Sequence, residues 1–285
     1  MNLEMIQELN DYASKNKILF FSSPIGIEPL NDLDSAGVNL YKISSYEISN
    51  LPFLEEVASR QKPIIMSTGG AKLSEVEEAL KTINKYHNNV SLMHCLIKYP
   101  AEFKDANLSI METLKRAFDV PVGFSNNGFK NENDQIDYEE IPDTVSKLGA
   151  DLYEIHITLD REMDGVDQGF STEPKELKKM ISLMNNNRAN YLKGQKPNVD
   201  QLLLGSSVKR TLEADEYVRE FAYKCIFTTK SIKQGEIFTT QNIKTLRPGE
   251  SPRGLEPIFY SLIVGKAKAN KDLDANHAIN WEDIF

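Results

Sequence analysis

The sequence has few of the features that mark secreted, membrane-spanning or nucleic-acid-binding proteins. It has two cysteines, Cys95 and Cys225, which we interpret as reduced core thiols of a cytosolic protein. No apolar run approaches the roughly 18 residues that a membrane span requires. The amino-terminal segment is acidic and helical in pattern, without the basic and apolar regions of a signal peptide. The net charge of −9 argues against a nucleic-acid partner, although a small anionic ligand can still bind locally.

Six short apolar runs, each ending in small or ionisable polar residues, occupy the first part of the chain. Amphipathic stretches of helical length separate them, and this alternation predicts a parallel sheet with helices packed outside it. The runs are ILFFSS (18–23), LYKISS (40–45), PIIMST (63–68), VSLMHC (90–95), VPVGFS (120–125) and LYEIHIT (152–158).

The number of runs falls short of a closed (β/α)8 barrel, which needs eight strands. The sequence also begins within a helical pattern, whereas a domain normally starts with the element that nucleates its sheet. We therefore predict an α/β fold, an incomplete TIM-type (β/α) barrel of about six strands. Ligands bind at the carboxyl ends of such strands, so the polar residues that end the runs are candidate site residues.

Composition changes near residue 185, where a polar, asparagine-rich stretch begins. From about residue 222, short β-rich runs alternate with glycine and proline turns. We predict a partial barrel over residues 1–187, a linker over 188–221 and a small, mostly-β domain over 222–285. A domain of roughly 64 residues is near the lower limit for independent folding, so we expect it to dock on another part of the protein.

Several segments carry a family resemblance in unbroken order along the chain. Those of the barrel are YKISSYEISNLP (41–52), KPIIMSTG (62–69), HCLIKYP (94–100), VGFSNN (122–127), EIHITLDR (154–161) and DGVDQGFS (164–171). They resemble the N-acylneuraminate (sialic acid) synthase family. The tail segments SIKQGEIFTTQNIKTLRPG (231–249) and VGKAKA (264–269) resemble the antifreeze-like SAF domain that ends those enzymes.

The resemblance implies a TIM barrel and a SAF domain, in a homodimer where each SAF domain caps the barrel of the partner. The implied reaction joins phosphoenolpyruvate to the open-chain aldehyde of an N-acylated hexosamine such as N-acetylmannosamine, and releases phosphate. A divalent metal, Mn²⁺ or Mg²⁺, acts as the Lewis acid on the aldehyde. The expected product is a nonulosonic acid for a surface polysaccharide, made in the cytoplasm without a nucleic-acid or membrane partner.

The resemblance also assigns roles to individual residues. Lys42 and Glu47 are the catalytic candidates, Lys42 as a contact to the phosphoenolpyruvate anion and Glu47 as a carboxylate that stabilises a developing cation or handles a proton. His156 and Asn127 stand at metal-ligand positions. The substrate-binding candidates are Ser23, Ser45, Ser67 and Ser125 (hydroxyls, the last three on phosphate), Tyr99 and Asp167 (sugar), and Arg247 (the N-acyl group bound by the partner).

Each assignment has a simpler structural alternative. Lys42 alone would be read as a surface lysine, and Glu47 as a helix-start glutamate that favours the helix dipole. Serine at the start of a loop is common turn chemistry. A lone histidine at a strand end, such as His156, is more often a satisfied core residue than a ligand.

Three departures from the family pattern bear on activity. Asn127 replaces the second metal-binding histidine, and asparagine is a weaker ligand than imidazole. Ile97 replaces a polar asparagine, so one sugar contact is lost or the sugar differs. The family's first two βα units have no counterpart, so we predict that a separately encoded N-terminal fragment supplies them or that another subunit covers the sheet edge; a misassigned start codon is the simpler alternative.

Two functions follow as hypotheses. The first is a phosphoenolpyruvate-dependent synthase of the sialic acid type, or the large fragment of a split one. The second is a catalytically impaired relative that acts as a binding or scaffolding subunit, which Asn127 and Ile97 favour. A synthase acting on a plain sugar phosphate is a weaker hypothesis, because the SAF-like tail argues against it.

Overall fold

A computed structural model describes residues 1–195 and 198–285 of the chain. These residues form two compact units. The first unit comprises Met1–Ile64, Ser74–Asn89 and Tyr217–Phe285, and the second comprises Ile65–Leu73 and Val90–Glu216. Residues 196 and 197, which belong to the predicted linker, lie outside the described residues.

Five short parallel strands form the main sheet; four are largely buried and the last is half-buried. In chain order the strands are β1 (Tyr41–Ile43), β2 (Ile64–Ser67), β3 (Val90–His94), β4 (Ala101–Glu102), β5 (Val122–Asn126), β6 (Phe129–Lys130), β7 (Tyr153–Ile155), β8 (Cys225–Thr228) and β9 (Ile243–Leu246). The sheet order is β1-β2-β3-β5-β7, while β4 pairs with β6 and β8 with β9. This is the incomplete TIM-type arrangement that the sequence predicts.

Helices lie between the strands of the sheet along the chain, and further helices precede and follow them. They are α1 (Leu3–Lys15), α2 (Ile27–Ser35), α3 (Leu51–Ser59), α4 (Leu73–Ile83), α5 (Ile110–Phe118), α6 (Glu140–Lys147), α7 (Pro174–Leu192), α8 (Gln201–Leu204), α9 (Glu213–Ala222) and α10 (Tyr260–Ile263). In α4 the buried residues Val76, Leu80 and Ile83 follow the helical repeat. Within the described ranges, no helix combines the length and apolar character needed to cross a bilayer.

The prediction of a strand over residues 18–23 was wrong. Ser22 makes a single parallel bridge to Tyr41, and the Lys42 amide donates to the Ser22 carbonyl at 3.1 Å. Ile18 and Leu19 are 65% and 60% exposed. A strand needs a continuous ladder of hydrogen bonds, which one bridge does not provide. The main sheet in the described residues therefore has five strands rather than about six.

The carboxy-terminal part of the first unit has its own β-rich core. β8 and β9 pair antiparallel from Cys225–Leu246 to Thr228–Ile243. Ile226, Ile232 and Phe238 are fully buried in the cluster that this pairing supports. Cys225 in β8 and Cys95, one residue past β3, are both buried thiols outside any disulfide, as the sequence predicts.

Candidate active site

Polar side chains of the second unit lie at the carboxyl ends of its parallel strands. Ser67 is the last residue of β2, Ser125 is the last but one of β5, and His156 directly follows β7. β3 pairs with β5, and β5 with β7, in parallel register, so these ends meet at one edge of the sheet. Ser67 and Ser125 are almost completely buried. The edge is therefore a polar surface built on rigid, enclosed backbone.

His156 is held between an amide and a carboxylate. Its Nε2 lies 3.3 Å from Asn127 Oδ1, and its Nδ1 lies 3.5 Å from Asp167 Oδ2. The Asn127 amide is oriented by its Nδ2, which donates to the Leu96 carbonyl at 2.8 Å. Asn127 Oδ1 must therefore face the imidazole. The structure brings His156, Asn127 and Asp167 together, and their roles stay a prediction.

Aromatic rings form one wall around His156. The His156 ring centroid lies 6.2 Å from that of Tyr99 and 5.1 Å from that of Phe170, both in edge-on arrangements. Gly128, with φ at +85°, makes this packing possible because a Cβ there would lie 2.9 Å from Phe170 side-chain atoms. Tyr99, predicted to contact the sugar, is 43% exposed to solvent beside the imidazole.

Ser125 and its neighbour Asn126 are tied to the next strand. The Ser125 hydroxyl donates to Glu154 Oε1 at 2.8 Å, and Asn126 Nδ2 donates to the Tyr153 hydroxyl at 2.8 Å. Burial raises the pKa of Tyr153 well above its ordinary value, so this phenol stays protonated. Glu154 thus fixes the Ser125 hydroxyl, and the Ser125 oxygen keeps its acceptor capacity.

Lys42, Ser45 and Ser23 belong to the first unit. Lys42 lies in β1 and is only 8% exposed, which is unusual for a lysine and excludes the surface alternative. Ser45 is also buried and begins a short 3-10 helix, Ser45–Glu47. Ser23 is half-buried next to the bridge that Ser22 makes with Tyr41.

Glu47 is a buried carboxylate with partners on both oxygens. Lys224 Nζ lies 3.3 Å from Oε1, and Asn50 Nδ2 donates to Oε2 at 2.7 Å. Only 1% of Glu47 is exposed, so the ion pair and the amide fix its orientation. This geometry gives the Glu47 carboxylate one fixed position beside Lys224 and Asn50.

Arg247 lies against the same segment of the first unit. It follows β9, and its guanidinium stands 4.6 Å from the centroid of the Tyr46 ring. A guanidinium over an aromatic face is a favourable cation–π contact. The Arg247 guanidinium therefore packs on Tyr46, the residue between Ser45 and Glu47.

The residues predicted to hold a metal offer a partial donor set. If the His156 Nδ1–H donates to Asp167, then His156 Nε2 and Asn127 Oδ1 present two lone pairs 3.3 Å apart. That separation suits two ligands of one cation with bonds of about 2.1 Å. Among the described residues, no cluster of three or more His, Cys, Asp or Glu side chains adds to this pair. The pair fits a divalent metal with the remaining ligands taken from substrate or water.

Two family descriptions match the chain and together cover nearly all of it. The NeuB family model matches residues 1–196, and the SAF domain model matches residues 223–284. The chain belongs to the NeuB family. The family resemblance seen in the sequence is thereby confirmed.

Several relatives of this NeuB-family chain are named as carbohydrate biosynthesis proteins or as synthases of sugar acids. The spore coat polysaccharide biosynthesis protein SpsE of Bacillus subtilis is 39% identical over 100% of this chain and 75% of its own length. The crystal structure of that protein matches 99% of this chain and 77% of its own with a TM-score of 0.92 and 38% identity. The N,N'-diacetyllegionaminic acid synthase of Campylobacter jejuni is 34% identical over 93% of this chain and 73% of its own length.

A third relative, the pseudaminic acid synthase of Helicobacter pylori, is 33% identical over 99% of this chain and 76% of its own length. The prediction that the chain is a synthase-type enzyme of this family is confirmed.

The structure adds partners that sequence reasoning missed. Lys224, the partner of Glu47, stands at the start of an apolar run and gave no signal of its own. Phe170 lies within the DQGF segment that carries the resemblance, so a closer reading of that motif could have found it. Asp215 lies in the predicted linker, where a buried carboxylate is not expected from composition.

Proposed function

We propose that this NeuB-family chain condenses phosphoenolpyruvate with the aldehyde of an N-acylated hexosamine, of the N-acetylmannosamine type, and releases phosphate. The observation that carries this proposal is the His156, Asn127, Asp167 and Tyr99 group at the strand-end edge of the second unit. The naming of relatives as legionaminic and pseudaminic acid synthases supports the same reaction class.

The proposed reaction forms one carbon–carbon bond and breaks one carbon–oxygen bond. The enol C3 of phosphoenolpyruvate attacks the aldehyde carbon, whose oxygen becomes the new hydroxyl. Water then adds to the cationic C2, and phosphate leaves with the oxygen that bridged it to C2. A negative charge fixed near C2 lowers the energy of the cation, which is the role we assign to Glu47.

Hydroxyl and ammonium groups are the proposed anion contacts. Lys42 supplies a positive charge, and Ser45 and Ser67 supply hydroxyl donors to phosphate and carboxylate oxygens. Ser125 joins them when its hydroxyl turns from Glu154 to the phosphate. We assign Ser23 to the same set because its hydroxyl stands where the family has threonine. Tyr99 binds the sugar, and Asp167 binds sugar hydroxyls or the metal region. Arg247 reaches the N-acyl group bound by the partner.

His156 Nε2 and Asn127 Oδ1 would hold the divalent metal, which supplies Lewis acidity at the aldehyde when bound. Asp167 keeps the proton on His156 Nδ1, so that Nε2 presents its lone pair. The Leu96 carbonyl holds the Asn127 amide in the matching orientation.

We also propose that the active form is a homodimer in the cytoplasm. The exposed apolar residues Ile18 and Leu19 beside β1 offer a surface that a partner can cover. Light scattering measures the assembly.

Phosphate release tests the reaction. The chain, alone and with a candidate fragment, is incubated with phosphoenolpyruvate, Mn²⁺ and a panel of N-acylated hexosamines. We expect phosphate release that needs both substrates. No release in any combination would reject the proposal and favour a binding or scaffolding subunit, the alternative that Asn127 supports. Calorimetry with phosphoenolpyruvate then measures whether ligand binding survives without turnover.

A further inference from the structure

A buried carboxylate joins two loops of the second unit that carry candidate substrate contacts. Asp215 lies near the start of α9 and is 1% exposed. Its Oδ1 accepts from the Ile97 amide at 2.8 Å and the Lys98 amide at 3.3 Å, and its Oδ2 accepts from the Gly70 amide at 3.2 Å. One side chain therefore bridges the loop after β2 and the loop after β3.

Two further side chains from the same segment hold the loop after β2. Lys209 Nζ donates to the Thr68 carbonyl at 2.6 Å, and the Thr211 hydroxyl donates to the Gly70 carbonyl at 2.9 Å. Lys209 is buried despite its charge. Lys209, Thr211 and Asp215 are called the brace below. All three come from the segment that joins the NeuB and SAF matches.

The braced loops lead directly from or to proposed ligand contacts. Ser67, on the phosphate, immediately precedes Thr68. Tyr99, on the sugar, immediately follows Lys98. Burial raises the pKa of Asp215, so keeping this carboxylate charged costs free energy. A core of apolar residues would not require that free energy.

We propose that Asp215 is a positioning residue that sets the distance between Ser67 and Tyr99, and thus between phosphoenolpyruvate and sugar. This inference rests on the proposed function. Asp215 does not touch substrate; it acts through the Gly70, Ile97 and Lys98 amides. The Thr211 hydroxyl donates to the Gly70 carbonyl in the loop after β2, so its removal tests that loop apart from the loop after β3.

Amide hydrogen exchange on the full chain tests the brace itself. Asp215→Asn keeps the shape but replaces one acceptor oxygen with a donor, so we expect at least about 10-fold faster exchange at Gly70, Ile97 and Lys98. Asp151→Asn is the matched control, because Asp151 also accepts a backbone amide, from Val122 at 3.1 Å, but at the amino-terminal ends of β5 and β7. Unchanged exchange at those three amides in folded Asp215→Asn would overturn the proposal.

Steady-state kinetics test the positioning role, in whichever form of the chain turns over. We expect Asp215→Asn to lower kcat/KM for both substrates by about 10- to 100-fold, as misplacement of reacting groups does. Thr211→Val should raise KM for phosphoenolpyruvate about 5-fold and leave KM for the sugar unchanged. Wild-type constants in Asp215→Asn, or equal effects of Thr211→Val on both substrates, would overturn it.

Failure of the proposed function is visible separately. A wild-type chain that neither binds nor turns over phosphoenolpyruvate contradicts the reaction before any variant is compared. In that case the amide exchange rates decide the inference. If the two loops exchange in Asp215→Asn as they do in the wild type, the positioning of Ser67 and Tyr99 by Asp215 is overturned. If they exchange faster, the brace stands.

Discussion

At the scale of single residues, Asn127 decides how strongly the proposed metal is held. Its Oδ1 faces His156 Nε2 at 3.3 Å because its Nδ2 is engaged by the Leu96 carbonyl. An imidazole is a stronger ligand for Mn²⁺ than an amide oxygen, and its second nitrogen can keep the bond to Leu96. We expect Asn127→His to tighten Mn²⁺ binding at least about 10-fold in calorimetry.

The opposite change supplies the control for that measurement. His156→Ala removes the remaining imidazole and should weaken Mn²⁺ binding below that of the wild type. Equal Mn²⁺ affinity in the wild type and both variants would show that neither residue is a ligand.

His94 is a second residue whose environment makes a sharp prediction. It is fully buried, its Nε2 donates to the Ala106 carbonyl at 2.8 Å, and burial together with the nearby Lys209 charge lowers its pKa to about 3. In the unfolded chain His94 takes up a proton as the pH falls below 6.5, whereas in the folded chain it stays neutral down to about pH 3. The His94 contribution to stability is therefore complete above pH 6.5 and is lost as the pH falls toward 3.

The resulting loss is about 2 kcal/mol of the free energy of unfolding by pH 5. Denaturant unfolding at pH 7 and pH 5 measures it. His94→Gln has no proton to bind, so its unfolding free energy should fall less over this interval. Parallel pH profiles for the wild type and His94→Gln would contradict the prediction.

At the scale of elements, the turn at Gln168–Phe170 packs on the loop after β5 through Gly128. A methyl group there would lie 2.9 Å from Phe170 and displace it from His156, in a backbone conformation with φ at +85°. We expect Gly128→Ala to cost roughly 2–4 kcal/mol of stability and to weaken Mn²⁺ binding. Gly235→Ala, with φ at +82° and nothing within 4 Å, carries the backbone strain alone. Equal losses of stability in the two variants would exclude the clash.

Elements with a strong local signal were predictable from sequence. The runs at 40–45, 63–68, 90–95, 120–125 and 152–158 each overlap a strand of the main sheet. The apolar run at 18–23 carried the same signal as the true strands, but strand formation depends on pairing with neighbours that a single sequence window does not contain. The residue boundaries of the barrel, linker and SAF domain stay a prediction.

At the scale of the whole molecule, the parallel sheet and the family were accessible because βα alternation and motif order extend along the chain. The sequence did not reveal the ion pair of Glu47 with Lys224. It also did not reveal the contacts of Asp215 with Gly70 and Ile97. Each joins residues more than a hundred positions apart, and no periodicity links such pairs. Long-range polar contacts therefore mark the part of the candidate site that only coordinates reveal.

Isotope tracing of the bridging oxygen of phosphoenolpyruvate tests the central claim most directly. The substrate carries oxygen-18 between C2 and phosphorus, and the products are separated and weighed by mass spectrometry after incubation with the chain, an N-acylated hexosamine and Mn²⁺. Carbon–oxygen cleavage predicts the label in the released phosphate and a sugar acid three carbons longer than the hexosamine. Label retained on the carbon product, or no extended sugar acid in any form of the chain, would contradict it.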